Sequence, residues 1–109
     1  MLILFDNGTP RGLARFLTGH TVEEARTRGW EKFENGDLIE AAEQAGFEVV
    51  VTTDKNIRYQ RNLSVRRIAL VVLEHSQWPL VKLVAANIVA AVTVAEPGSY
   101  VEVGVPFKE

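Results

Sequence analysis

The chain has 109 residues, of which 47% are hydrophobic, enough to build one domain, 1–109, around a continuous core. It contains no cysteine, which excludes a disulfide framework and a thiolate metal site, leaves oxygen or histidine for any metal, and suits a reducing, cytoplasmic setting. A formal net charge of −2 argues against a strongly electrostatic nucleic-acid binder.

Met1-Leu2-Ile3-Leu4-Phe5 meets a charge at Asp6 and lacks a basic leader, so it reads as a first strand and not as a signal peptide. Thr9-Pro10 then supplies a helix cap followed by proline at the first helical position, with Leu13, Ala14, Phe16 and Leu17 as the apolar face and Gly19 as the stop. His20 to Glu24 reads as a short polar strand, and Arg26 to Gly36 as a loop carrying Trp30 and Phe33. Asn35 is a plausible N-cap for a helix through Ala45, with Asp37 in its first turn and Gly46 just past its end.

Phe47 to Val51 and Ile68 to Leu73 are continuous apolar runs, the pattern of strands buried on both faces of a parallel sheet. Between them, Thr52 to Ser64 predicts a loop and a short helix. Trp78-Pro79 opens the longest helical segment, which runs to about Ala95 and closes at Pro97-Gly98. This segment has no clear polar face, so homodimerisation through the 79–95 helix is expected. Its uncharged run, Leu83 to Ala95, falls well short of the roughly 20 residues that span a bilayer, and no membrane segment is expected. Tyr100 to Val105 alternates as a half-exposed edge strand does. Strands alternating with helices predict an α/β fold with a mainly parallel sheet covered on both faces.

In such sheets ligands gather outside the carboxyl ends of the strands, which directs attention to Asp6, Asp54 and Glu74. Asp6 follows the first strand and Asp54 follows the Phe47–Val51 strand, so both lie on one edge, while Asp37 opens the helix feeding that second strand. Clustered carboxylates repel, and an oxygen-only site suits Mg²⁺ or Mn²⁺, which can polarise a phosphoryl oxygen and activate water. Simpler roles exist for each: Asp6-Asn7-Gly8 is a turn sequence, Asp37 complements a helix dipole, and Asp54 can cap a short helix. Glu74-His75 could add a ligand or a base, or be a solvated loop pair.

Charge is segregated along the chain. Glu23 to Glu48 holds eight acidic and three basic residues, whereas Asp54 to Arg67 holds one acid against Lys55, Arg58, Arg61, Arg66 and Arg67. That basic stretch could contact phosphate while Tyr59 stacks on a base, or could form a solvated amphipathic turn.

Two motifs, in order, resemble those of bacterial PIN-like domains, small relatives of the PIN nucleases. The opening strand ends in aspartate with proline shortly after, as Leu2-Ile3-Leu4-Phe5-Asp6-Asn7-Gly8-Thr9-Pro10, and a middle strand runs into Thr-Asp-Lys, as Val49-Val50-Val51-Thr52-Thr53-Asp54-Lys55-Asn56. Gly36-Asp37-Leu38-Ile39 matches the acidic residue ahead of a leucine-rich helix, and Asn56-Ile57-Arg58-Tyr59-Gln60 matches a subgroup. The resemblance covers nearly the whole chain. It implies a three-layer α/β/α sandwich with about five strands and a Mg²⁺- or Mn²⁺-dependent ribonuclease-like site, often in toxins paired with an antitoxin protein. Asp6, Asp37 and Asp54 would be catalytic metal ligands with Asn56 as a polar helper; Lys55, Arg58, Tyr59 and Arg61 would contact RNA on the reading of the basic stretch itself, since the family pattern gives the Arg-Tyr segment no role. Many relatives carry a second aspartate where Asn56 stands, and a neutral amide there lowers cation affinity. An alternative expectation is therefore a catalytically weak scaffold that binds nucleic acid or a partner protein.

Overall fold

The computed structural model describes residues 1–59 and 66–105 of the chain, without the side chains of residues 58 and 59. Five strands, β1 (Leu2–Phe5), β2 (Thr21–Glu24), β3 (Val49–Thr52), β4 (Ala69–Leu73) and β5 (Tyr100–Val103), form one parallel sheet in the order β2-β1-β3-β4-β5. β3 and β4 read VVVT and ALVVL and are buried at every position, as branched side chains covered on both faces of a sheet should be. In register, Phe5 lies beside Glu24 of β2 on one side and Val51 of β3 on the other.

Successive side chains point to opposite faces, and the two faces carry separate cores. Ile3, Phe5, Val49, Val51, Val71 and Leu73 face one layer, which is made by the 3₁₀ helix Arg11–Phe16 together with the segment Trp78–Thr93. Leu4, Val50, Leu70 and Val72 face the other, made chiefly by α1 (Asn35–Gln44) and by Ile57 in the 3₁₀ helix Lys55–Tyr59. The result is the three-layer α/β sandwich expected from the alternation of strands and helices.

The crossovers are not uniform. α1 carries the chain from β2 to β3 on one face, and the Trp78–Thr93 segment carries it from β4 to β5 in the same direction on the other. Two such crossovers necessarily differ in hand, so one of them departs from the strong right-handed preference. Near the site the arrangement is regular: the chain leaves β1 toward one face through Leu13 and Leu17 and leaves β3 toward the other through Ile57. A crevice therefore opens between the carboxyl ends of β1 and β3, the switch point at which ligands of such sheets bind.

Several local expectations are corrected. After Pro10 the chain forms a six-residue 3₁₀ helix, Arg11–Phe16, where an α-helix was expected, and Thr9 caps nothing. Its hydroxyl donates instead to the Val51 carbonyl at 2.8 Å, which pins the turn after β1 onto β3. The N-cap of α1 is Glu34 and not Asn35, which is the first helical residue. The end of α1 follows its signal: Gly46 takes φ +89°, its N–H donates to Glu43 O and the Phe47 N–H donates to Ala42 O, the Schellman pattern. The expected loop from Arg26 contains a further 3₁₀ helix, Ala25–Arg28. β3 begins two residues later than expected and extends to Thr52, β4 begins at Ala69, and β5 ends at Val103.

The expected long helix from Trp78 to about Ala95 is two helices, α2 (Trp78–Leu83) and α3 (Ala85–Thr93), broken at Val84 with φ −114° and ψ 17°. Val81, Ala85, Ile88 and Val92 are all buried and keep one helical stripe across the break, so the apolar pattern conceals it. Leu83 and Val94 are 72% and 73% exposed. Among the described residues no helix is long and apolar enough to cross a membrane.

Candidate functional site

Strand pairing brings two of the aspartates together. The Asp6 N–H donates to Val51 O at 3.0 Å, extending the β1–β3 ladder by one residue past Phe5. Thr52, the last residue of β3, is fully buried, and its hydroxyl donates to Asp6 Oδ2 at 2.8 Å while accepting the Asp54 N–H at 3.1 Å. One hydroxyl thus ties the first aspartate to the backbone of the second. The turn roles considered for both are present as well: Asp6 Oδ1 accepts the Asn7 N–H at 2.8 Å, and Asp54 Oδ1 accepts the Asn56 N–H at 2.9 Å as the chain enters the 3₁₀ helix Lys55–Tyr59.

The third aspartate arrives through the segment before and at the start of α1. The Asn7 side-chain amide donates to Glu31 O at 2.7 Å, and Asn35 Nδ2 donates to Asp54 Oδ2 at 3.1 Å, so this segment is fastened to the ends of both β1 and β3. Asp6, Asp37 and Asp54 then line one open cavity of about 590 Å³, together with Asn7, Phe33, Glu34, Asn35 and Gly36. Its size is in the ordinary range for ligand pockets. Four carboxylates face it, and none forms an ion pair with a lysine or arginine among the described residues. The amino end of α1, with Asp37 in its first turn, contributes the positive end of a helix dipole to the same wall.

The donor set bears on which cation could sit there. All side-chain donors are hard oxygens or amides, and both oxygens of Asp54 already accept one hydrogen bond each. Among the described residues no group of three histidine, cysteine or acidic side chains is close enough to hold a metal ion by itself. The described side chains alone therefore make no closed cation cage, although hard oxygen donors are the kind that Mg²⁺ and Mn²⁺ take.

The other residues singled out in the sequence are placed unevenly. Asn56 and Lys55 are exposed and are not among the cavity's lining residues, and Asn56 contributes its backbone N–H to the Asp54 turn. The side chains of Arg58 and Tyr59 and the whole of Arg61 lie outside the described residues. Glu74 and His75, at the end of β4, do not line the cavity. Sequence reasoning missed Glu34, Asn7, Phe33 and the linking role of Thr52. The threonine pair before Asp54 was the available signal for the last of these, since a hydroxyl at a strand end can bond neighbouring side chains and backbone alike.

Behind the cavity, Gly29 takes φ +75° and turns the chain so that Trp30 packs edge-on against Phe47 at 6.1 Å between ring centroids. The Arg28 guanidinium lies 5.5 Å from the Trp30 ring centroid and 5.0 Å from that of Phe47. It also donates to both carboxylate oxygens of Glu23, a hydrogen-bonded pairing that holds the Glu23 carboxyl below its ordinary range.

No family model matches the chain, and neither the curated proteins nor the solved structures give a match.

Proposed function

We propose that this protein is a PIN-like, divalent-metal-dependent ribonuclease-like hydrolase that cleaves phosphodiester bonds in RNA. The observation that carries the reading is the convergence of Asp6 and Asp54, just past the ends of β1 and β3, and Asp37, in the first turn of α1, on one cavity at the β1–β3 crevice. Bound Mg²⁺ or Mn²⁺ would supply charge neutralisation at the phosphate and activation of water. Asp6, Asp37 and Asp54 would hold that ion, partly through water. Thr52 would fix the orientation of the Asp6 carboxylate, and Asn35 that of Asp54. Lys55, Arg58, Tyr59 and Arg61 would approach the RNA from the stretch that follows Asp54. An antitoxin protein is the partner that the PIN-like resemblance implies. Exposed Leu83 and Val94 support a homodimer through the 79–95 segment, and sedimentation as a monomer would remove that element of the proposal.

A second reading, a scaffold that binds RNA or a partner protein without turnover, is favoured by one observation. Both Asp54 oxygens are engaged within the protein, and the position two residues on is an amide, Asn56. One assay separates the two: purified protein incubated with single-stranded RNA and Mg²⁺ or Mn²⁺. The enzyme reading expects cleavage that chelation stops; RNA retained intact by a protein that binds it supports the scaffold.

A further inference from the structure

Phe33 is an aromatic side chain that the fold does not use. It is 43% exposed and belongs to neither core cluster, yet it lines the acidic cavity beside Asp6 and Asp54. Its ring is held in place. Trp30 stacks on it with centroids 6.2 Å apart and planes 13° from parallel, and Trp30 is itself braced by Phe47 and Arg28. The Phe33 N–H donates to Trp30 O at 3.0 Å, and Asn7 fastens the intervening turn through Glu31 O. The outer member of an ordered aromatic stack therefore stands on the rim of the cavity.

An exposed, pre-ordered ring of this kind suits a flat, neutral π-system, because stacking needs little further loss of side-chain freedom and incurs none of the repulsion that carboxylates impose on phosphate. We propose that Phe33, backed by Trp30, is the stacking surface for one nucleobase of single-stranded RNA whose adjoining phosphate enters the acidic cavity. The inference rests on the nuclease reading for the phosphate's position, and on the aromatic geometry alone for the base. It assigns to Phe33 the role that the sequence suggested for Tyr59. Double-stranded RNA, whose bases are already stacked, would gain nothing from this surface.

The test is binding of a short, fluorescently labelled single-stranded RNA of mixed sequence to the parent protein, with and without Mg²⁺, followed by anisotropy across a range of salt concentrations. Phe33→Ala should weaken binding by roughly tenfold to a hundredfold, the worth of one base–aromatic stack, without altering the slope of log affinity against log salt, which reports phosphate contacts. Phe33→Tyr should bind as the parent does, and Phe33→Leu, which keeps apolar contact but lacks a π-face, should behave like Phe33→Ala. Loss of all RNA binding by the parent, unchanged affinity in Phe33→Ala, or full affinity in Phe33→Leu would each overturn the proposal. Cleavage of RNA by a Phe33→Ala protein that binds as the parent does would sink the stacking surface and leave the nuclease reading standing. Phe33-dependent binding without any cleavage would do the reverse.

Discussion

Asp6→Asn is expected to abolish metal-dependent RNA cleavage while leaving the protein folded. The substitution removes one charge and little volume, and the amide carbonyl can still accept the Asn7 N–H now donated to Asp6 Oδ1, while the amide nitrogen facing Thr52 can only donate, so that the Thr52 hydroxyl loses its acceptor. The cost falls on the site. Replacing an outer partner of a metal ligand typically lowers affinity or activity by roughly 10- to 100-fold, and removing the charge of a ligand itself should exceed that. The control is a denaturation curve close to that of the parent, so that lost activity cannot be ascribed to lost structure. If Asp6→Asn cuts RNA as well as the parent under the same metal, Asp6 is no ligand and the activity resides elsewhere.

The largest expected effect on stability is that of Phe5→Ala. Phe5 is 1% exposed, sits at the carboxyl end of β1 between Glu24 and Val51, and packs in the core with Leu13 of the 3₁₀ helix Arg11–Phe16 and Leu17 just after it. Truncating a buried phenylalanine costs about 3–5 kcal/mol, part of it for the cavity left behind. Against the roughly 5–15 kcal/mol of a typical domain, that is a large fraction, and the urea midpoint should fall accordingly. Asp6 is the next residue in the chain, so metal binding should weaken in the same variant as the end of β1 loosens. A change below about 1 kcal/mol would contradict the tight packing inferred at this strand end.

The sequence made β1, β3 and β4 legible because they are buried on both faces, and burial on both faces leaves an uninterrupted apolar run. The end of α1 was legible for a similar reason, since Gly46 at a left-handed position is a local requirement. The start was not: Glu34 and Asn35 are both polar, and the choice of Glu34 as N-cap goes with the Asn35 side chain reaching Asp54, a partner 19 residues away. Strand order was hidden as well, because three similar apolar runs do not state which of them is central. The helix break at Val84 was masked by buried positions that keep their period through it.

In the site, Asp6 and Asp54 were placed by strand ends alone, whereas Asp37 was placed by resemblance to PIN-like domains. The cavity unites the three through contacts that no local pattern encodes: Asn7 to Glu31, Asn35 to Asp54, and Thr52 to Asp6. Glu34 went unnamed and Phe33 was placed only in a loop, because a loop segment has no period by which to assign its side chains a direction. Both lie in the stretch read as an irregular connection, and both join the cavity because that connection is fastened at its two ends.

Calorimetric titration of Mn²⁺ into the parent protein and into Asp54→Asn decides whether the carboxylate cavity binds a divalent cation. Saturable binding by the parent that chelator reverses is expected, with a marked loss of affinity in the variant, in which Thr52 and Asn56 can keep their hydrogen bonds to residue 54 and the Asn35 amide must turn to accept from the new amide nitrogen. Absence of saturable binding in the parent, or the same affinity in both proteins, would contradict a cation site there.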